Sequence, residues 1–515
     1  MRSESGGPAQ PLPAGRPGLP AGVLARALRP VRLPPRVAML LAFAATSLTN
    51  YAFGLATGWL LLPGDFGLLA FAQTILLIGG LVLNSGFALA HAAAIVGQPP
   101  AERAARVRGA LAANVLIALA FAAMLVALFA LGPLRPGLEQ WPVTLLVAAA
   151  LPLIAFAAIG RATAQGTERF GTFATMQVLE IVAKALAGVA LILAGFGAAG
   201  AVAGFVAGGL LATVPALVLF ARLGVAPWGP RQRPPLGAAG AMFAALLGLA
   251  LLLNLDLLAL KLLSTADRQI VGYYQAGIVL ANAPYYLASA MLTVAFTELV
   301  RVRRLADSGP LVADALRLVL VFIVPLEVAL AVAPQAALRL LFPGAYAPGA
   351  EPLRILALGN TAVVLVAVLA TAFQATGRAR TPGRVLLAVV AIEALVLRAV
   401  VPPLGAVAAA ATFLTAALVA LAALAGAYTR ALERPALGRA LAWLARYALV
   451  LGLGTALGAG ALQAGTGLPV ALLLAGPLYL ALVFAARLID WPRAERRPAA
   501  PAAGESPAVP ATPEE

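Results

Sequence analysis

A chain of 515 residues that is 62% apolar and only 11% charged, with a mean hydropathy of +0.96, holds too little polar surface to wrap a water-soluble core. Its solvent has to be lipid, and because the apolar runs are long and do not alternate as barrel strands do, they read as helices. The formal charge of +16 is dispersed through loops without an interleaved aromatic patch, which excludes a nucleic-acid face, while one His (His91) and no Cys exclude a His-based metal cluster and thiol chemistry.

Residues 1–36 are rich in Pro, Gly and Arg, lack the apolar core of a signal peptide, and are expected to form a disordered basic cytoplasmic tail. Apolar stretches of about 20 residues, long enough to span hydrocarbon, then predict helices over Val37–Leu61, Gly67–Ile95, Gly109–Leu131, Val143–Thr163, Phe173–Phe196 and Ala198–Ala221, a first lobe occupying 37–221. A second lobe, 236–428, runs through Leu236–Leu263, Ile270–Phe296, Leu311–Val332, Leu353–Ala375, Arg384–Val401 and Leu404–Tyr428. Two further helices, Arg439–Leu462 and Leu468–Leu488, fill 439–488, and the Pro/Ala-rich stretch 489–515 is a second disordered cytoplasmic tail. The expected architecture is an all-α polytopic membrane protein of about 14 transmembrane helices, two pseudo-symmetric six-helix lobes plus two extra C-terminal helices.

An even number of spans puts both ends on one side. Loops on that side carry most of the Lys and Arg, whereas the opposite loops and their borders carry only Arg135, Lys261, Arg268, Arg339, Arg354 and Arg398, so both termini are placed in the cytoplasm. A loose repeat supports two lobes: Gly67-Leu-Leu-Ala-Phe returns as Gly272-Tyr-Tyr-Gln-Ala, and Gly200-Ala-Val-Ala-Gly204 as Gly405-Ala-Val-Ala-Ala409, both 205 residues on (67 to 272, 200 to 405). Lobes of even helix number are related by an axis along the membrane normal, with a cleft between them.

An ionisable side chain inside hydrocarbon costs about 2.5–3.5 kcal/mol on insertion scales, so each one calls for a reason. Glu180 and Lys184 stand four apart on the fifth helix, in the favourable order for a pair. Glu393 and Arg398 share the eleventh helix, Asp256 and Lys261 the seventh, and Glu327 stands alone on the ninth. Structural ion pairing accounts for several of these, and Lys261 and Arg398 suit snorkelling to the outer interface. The eighth helix carries Tyr273, Tyr274, Gln275, Asn282, Tyr285 and Tyr286; an interfacial belt explains the first two, which leaves Asn282, Tyr285 and Tyr286 as candidates to line the cleft. Asn50, Tyr51, Gln73, Asn84 and His91 are the corresponding polar group of the first lobe, although helix-to-helix hydrogen bonds explain isolated Asn and Gln equally well. Pro284 and Pro325 are expected to kink their helices.

Three stretches carry a family resemblance: Thr57-Gly-Trp-Leu-Leu-Leu-Pro-Gly-Asp-Phe-Gly-Leu-Leu-Ala-Phe-Ala-Gln73 with Gly79 to Ala90; Asp256-Leu-Leu-Ala-Leu-Lys-Leu-Leu-Ser264 with Val271-Gly-Tyr-Tyr-Gln-Ala276; and Leu341-Phe-Pro-Gly-Ala-Tyr346 with Ala350 and Leu353-Arg-Ile-Leu356. Over 37–428 the chain resembles the polysaccharide-biosynthesis flippases of the multidrug/oligosaccharidyl-lipid/polysaccharide exporter superfamily, departing at Pro343, where that family more often has Gly. The resemblance implies a transporter of the bacterial cytoplasmic (inner) membrane that moves an undecaprenyl-diphosphate-linked oligosaccharide outward by alternating access, for polysaccharide, O-antigen or exopolysaccharide export. On that reading Lys184, Lys261 and Arg398 offer positive charge to the diphosphate, Asn50, Tyr51, Gln73, Asn84, Asn282, Tyr285 and Tyr286 line the substrate cleft, and Glu180, Asp256, Glu327 and Glu393 are candidates for coupling a cation. The partners implied are the lipid-linked oligosaccharide, the bilayer and a polysaccharide polymerase or export machinery, with the chain acting as a monomer and with no cofactor, metal or nucleic acid.

A drug/cation antiporter or a peptidoglycan-precursor flippase of the same superfamily is the alternative. A membrane-embedded glycosyltransferase or polymerase would need a sizeable outer loop bearing catalytic groups. Here the first outer loop is the short turn 62–66 and the largest, 333–352, holds only Arg339 and Glu351, so an enzyme is not expected.

Overall fold

A computed structural model of the chain describes residues 35–232, 240–264, 268–299, 302, 304–432 and 437–488. The tails expected at 1–36 and 489–515 lie outside the described residues, 35 and 36 excepted. Every regular element among the described residues is helical. The protein is an all-α polytopic membrane protein: nine described helices are long and apolar enough to cross a bilayer, or up to ten if one bent pair counts as a span.

Proline and glycine set most of the punctuation. Helix α1 (Pro35–Leu60) gives way to α2 (Pro63–Leu81), whose first residue is the Pro that needs no intrahelical donor there. A π-helical turn at Val82–Gly86 joins α2 to α3 (Phe87–Ile95), inserting one residue into a turn at Asn84. Helix α4 (Pro100–Ala130) starts well before the expected Gly109, because its first turns carry Arg103, Arg106 and Arg108 and so fall outside an apolar window. Then come α5 (Trp141–Gly166), α6 (Phe170–Leu191), a π turn at Ile192–Phe196, and α7 (Gly197–Arg222).

The α6–α7 reversal turns on glycine. Gly195 (φ 92°) and Gly197 (φ 52°, ψ −137°) occupy backbone regions that L side chains avoid. Gly200, Gly204 and Gly208 then bring α7 against α6, since a Cβ on Gly204 would stand 2.5 Å from the Lys184 carbonyl oxygen and one on Gly208 2.5 Å from that of Glu180. Such a small-residue stripe lets two apolar helices meet backbone to backbone where lipid supplies no hydrophobic drive. It also fixes the helix that carries Glu180 and Lys184.

In the second half, the single helix expected over Leu236–Leu263 is two, α8 (Gly240–Leu252) and α9 (Leu255–Leu263), bent by 51°. After α10 (Gln269–Leu299), the expected Leu311–Val332 is likewise divided into α11 (Gly309–Phe322) and α12 (Val324–Val332) at Pro325. A short amphipathic α13 (Pro334–Leu341) precedes α14 (Ala350–Ala375). Helix α15 (Arg380–Ala431) is interrupted only at Gly405, whose φ of 66° and ψ of −143° nearly repeat those of Gly197. The backbone therefore equates Gly405 with Gly197 and not with Gly200, the match expected from sequence. Helices α16 (Leu437–Gln463) and α17 (Leu468–Ala485) pack on each other and on α12 and α13.

The halves meet where α2 crosses α10. A Cβ on Gly67 would lie 2.8 Å from the Gly272 nitrogen, and one on Gly272 1.8 Å from the Pro63 carbonyl oxygen. Only glycine at both positions permits this approach.

A cationic cavity sealed at one end

Around this contact the end of the bundle is closed. The Trp59 indole donates to the Leu341 carbonyl at 2.8 Å, the Tyr346 hydroxyl donates to that of Leu61 at 2.9 Å, and Phe66 packs on Phe342 and Tyr346. Glu139, in the α4–α5 loop, accepts from Lys261 at the end of α9 and pairs with Arg268 before α10, each at 3.0 Å.

Beyond the seal lies a cavity of about 730 Å³, lined by α1, α2, α5, α6, α7 and α10 and extending to Ala88, Gln165 and Phe173. Its charged centre joins three helices. Arg161 of α5 donates to Glu180 of α6 and, at 2.9 Å, to the side-chain oxygen of Asn84 in the π turn. Lys184, one turn past Glu180, donates instead to Asn50 of α1 and lies between the rings of Phe53 and Phe205, 4.9 and 4.7 Å from their centroids. The expected Glu180–Lys184 pair is thus replaced: the carboxylate is taken by an arginine from another helix, whose planar fork reaches Glu180 and Asn84 together. Among the described residues Lys184 makes no ion pair, and two cations against one carboxylate leave the lining with a net positive charge.

Of the residues singled out from sequence, Asn50, Tyr51, Gln73, Asn84, Glu180, Lys184, Asn282 and Tyr286 converge on this cavity, Asn282 also accepting from Asn360 at 3.0 Å. The others lie elsewhere. Tyr285 is turned from the lining and packs against the core. Lys261 is buried at the seal with Glu139, and Arg398 is exposed on the outer surface of α15. His91 meets Thr163 at 3.3 Å, away from the cavity. Asp256 is buried and accepts from the Tyr274 hydroxyl and the Leu257 amide, while the carboxylates of Glu327 and Glu393 are buried with no hydrogen-bond partner among the described residues.

Arg161 is not legible as a site residue: it sits near the end of its apolar run, where a loop cation is expected, and only its packing against Asn84 and Glu180 reveals it. Asn254, Gln275, Gln177, Gln165, Thr46 and Thr74 add to the polar lining. With Glu180 as its single carboxylate and no His, the described lining cannot assemble an acid–base pair; it can neutralise an anion and hydrogen-bond hydroxyl groups.

A family model described as polysaccharide biosynthesis protein matches residues 59–350, more than half of the chain. No curated protein matches it in sequence. Among solved structures it is similar to the lipid II flippase MurJ in an inward closed conformation, at 14% identity and a TM-score of 0.67, covering 88% of this chain and 100% of that one. It is also similar to an inward-facing multidrug resistance MATE family transporter of the MOP superfamily (13% identity, TM-score 0.55, 75% of this chain and 95% of that one). A mutant of the Vibrio cholerae MATE transporter VcmN gives 16% identity and a TM-score of 0.50 over 78% of this chain and 96% of that one. At such identities the structural likeness speaks for the fold alone, and the family follows from the matched sequence: the chain belongs to the polysaccharide biosynthesis protein family, built on the fold it shares with these transporters.

Proposed function

We propose that this protein carries a lipid-linked oligosaccharide across the bacterial cytoplasmic membrane, from the inner to the outer leaflet, by alternating access. The observation that carries the reading is a net-cationic cavity with a polar lining, set between the halves of an otherwise apolar bundle and closed at one end. A diphosphate cannot enter hydrocarbon unneutralised. Lys184 and Arg161 supply the charge, Asn50 and Glu180 holding the two cations in place until phosphate oxygens replace them. Tyr51 and Tyr286 offer faces to sugar rings, and Gln73, Asn84 and Asn282 bond hydroxyls. A volume of about 730 Å³ lies within the range of about 300–1,000 Å³ typical of small-molecule pockets, which suits the diphosphate and its first sugars. The polyprenyl chain stays in lipid.

In this reading the fold counts about 14 spans: to the ten that include the bent pair are added two because the helices broken at Gly197 and Gly405 are each a pair, and α1 and α10. Spans 37–221 and 236–428 are the two rocking lobes, 439–488 adds two helices, and 1–36 and 489–515 are cytoplasmic tails. The seal at Gly67 and Gly272 is then the outer gate, and the cavity faces the cytoplasm. Asp256 and Glu393, buried in the second lobe, are placed to couple a cation, with Glu327 as a further carboxylate for that role. Similarity to a lipid II flippase and the extra pair α16–α17 favour a lipid-linked substrate over the drug/cation antiport of the MATE relatives.

The test is the leaflet distribution of a labelled glycan-lipid in cells lacking the protein. Accumulation on the cytoplasmic leaflet, reversed by returning the gene, is expected. A normal distribution would exclude flipping.

A further inference from the structure

We propose a second, separate binding site for a phosphate group, formed where the α3–α4 and α5–α6 turns meet. A cleft of about 250 Å³ opens there, lined by Gly97, Arg103, Thr167, Glu168 and Arg169 among others. The arginines that follow Arg103 on α4 are engaged: Arg106 donates to the Ala94 carbonyl at 2.8 Å and to Gln232 at 2.9 Å, and Arg108 donates to the Pro230 carbonyl at 2.9 Å. Arg103 differs. Its Nε is buried without a partner, and among the described residues neither its guanidinium nor that of Arg169 makes a hydrogen bond or ion pair.

The placement of these two cations is the second observation. Arg103 lies in the first turn of α4 and Arg169 is the residue that precedes α6, and neither helix start has a side-chain cap. Helix N-termini carry partial positive charge, so each arginine stands at the unfavourable end. The nearby acids do not relieve this. Glu102 reaches Arg106, at 4.0 Å, and Glu168 is exposed on a left-handed backbone with φ of 56°. The half-buried guanidinium of Arg103 and the exposed one of Arg169 line one cleft, where phosphate oxygens can accept from both arginine forks.

The ligand is therefore a phosphate monoester or diester, whether the headgroup of an anionic phospholipid or a soluble phosphate. Gln165 lines the large cavity and Gly166 the small cleft, so a phosphate held here stands at the margin of the transport cavity. The site uses none of the cavity residues and does not depend on the transport reading.

The full-length protein is compared with Arg103→Gln/Arg169→Gln, with Arg103→Lys/Arg169→Lys, and with Arg106→Gln/Arg108→Gln and Arg108→Gln as controls matched in charge to the double and single Gln variants. Pyrophosphate titration in neutral detergent, with every protein carrying Lys184→Gln and Arg161→Gln so that the transport cavity does not take up the probe, reports a soluble ligand, and native mass spectrometry from nanodiscs of phosphatidylcholine with phosphatidylglycerol reports a retained lipid. The double Gln variant is expected to lose affinity by about tenfold or more in whichever arm the wild type is positive, as the charge-assisted bonds are removed. The Lys variant retains part of that affinity and both controls all of it. Retained phosphatidylglycerol that pyrophosphate cannot displace identifies the lipid source; pyrophosphate binding without retained lipid identifies the soluble one. Should the double variant aggregate, the single Gln variants decide in the same way. Wild-type protein silent in both arms, or Gln variants that bind as wild type does, overturn the site.

Discussion

Lys184 shows what one residue's sequence context tells and what it withholds. A lysine in the middle of an apolar run needs a reason, and that alone marks it, as it marks Glu180, Asn50, Gln73 and Asn84. The same logic marked Lys261 and Arg398 equally, yet one is buried against Glu139 and the other is exposed away from the cavity. Helical spacing tells which residues share a face, not which neighbouring helix that face meets, so the partner of Glu180 proved to be Arg161. The two cavity cations are expected to act together on an anionic substrate. Lys184→Gln or Arg161→Gln should slow flipping of a labelled glycan-lipid in reconstituted vesicles by about tenfold or more, the worth of a charge-assisted hydrogen bond of about 1.5–3 kcal/mol. Arg398→Gln should leave the rate unchanged at equal membrane insertion. Full activity in Lys184→Gln would detach the cavity from transport.

At the scale of elements, the helices were legible because hydrocarbon thickness dictates their length, and most observed ends fall within a few residues of the apolar runs. Breaks inside them were less so. The bend between α8 and α9 comes in Leu252-Leu-Asn-Leu255, with neither Gly nor Pro to announce it, whereas Pro325 does announce the division of α11 from α12. Lacking an N–H, Pro325 leaves the Val321 carbonyl without its helical donor, a costly vacancy inside a bilayer. Helix α17 supplies the missing donor: the Tyr479 hydroxyl bonds the Val321 oxygen at 2.9 Å, and Tyr447 of α16, stacked on Trp443, bonds that of Leu320 at 2.5 Å. The C-terminal pair is thus fitted to the kink it packs on. Tyr479→Phe is expected to cost about 0.6 kcal/mol, the average measured for hydrogen bonds between membrane helices, and no more than about 1.7, read as thermal unfolding in detergent. In a Pro325→Ala background, where residue 325 regains its amide, most of that cost should vanish. An equal cost in both backgrounds would reduce Tyr479 to packing.

For the molecule as a whole, alternating access requires the seal between the halves to be firm yet breakable. The glycine contact at Gly67 and Gly272 and the aromatic cluster of Phe66, Phe342 and Tyr346 provide shape, which separates readily once water enters. The ionic element is more demanding. The Lys261 side chain is only 3% exposed, so Glu139 neutralises a largely buried charge from a loop 122 residues earlier, and Arg268 holds the same carboxylate from the surface. Removing one partner of a buried pair costs about 3–5 kcal/mol, against about 0–1 kcal/mol for a surface pair. The trio therefore stabilises the closed end of the bundle more than a surface pair would. The natural chain has no Cys, so Glu139→Cys with Lys261→Cys introduces the only thiols. Bridging them with a short bis-thiol reagent is expected to halt flipping in vesicles, and a cleavable bridge to restore it on reduction. Glu139→Gln alone should increase thiol labelling of a Cys placed in the cavity from the sealed side, and Glu139→Lys with Lys261→Glu should bring labelling back towards wild type. Bridged protein that flips at the full rate would mean that the sealed end never opens during transport, and the rocking of two lobes would have to be abandoned.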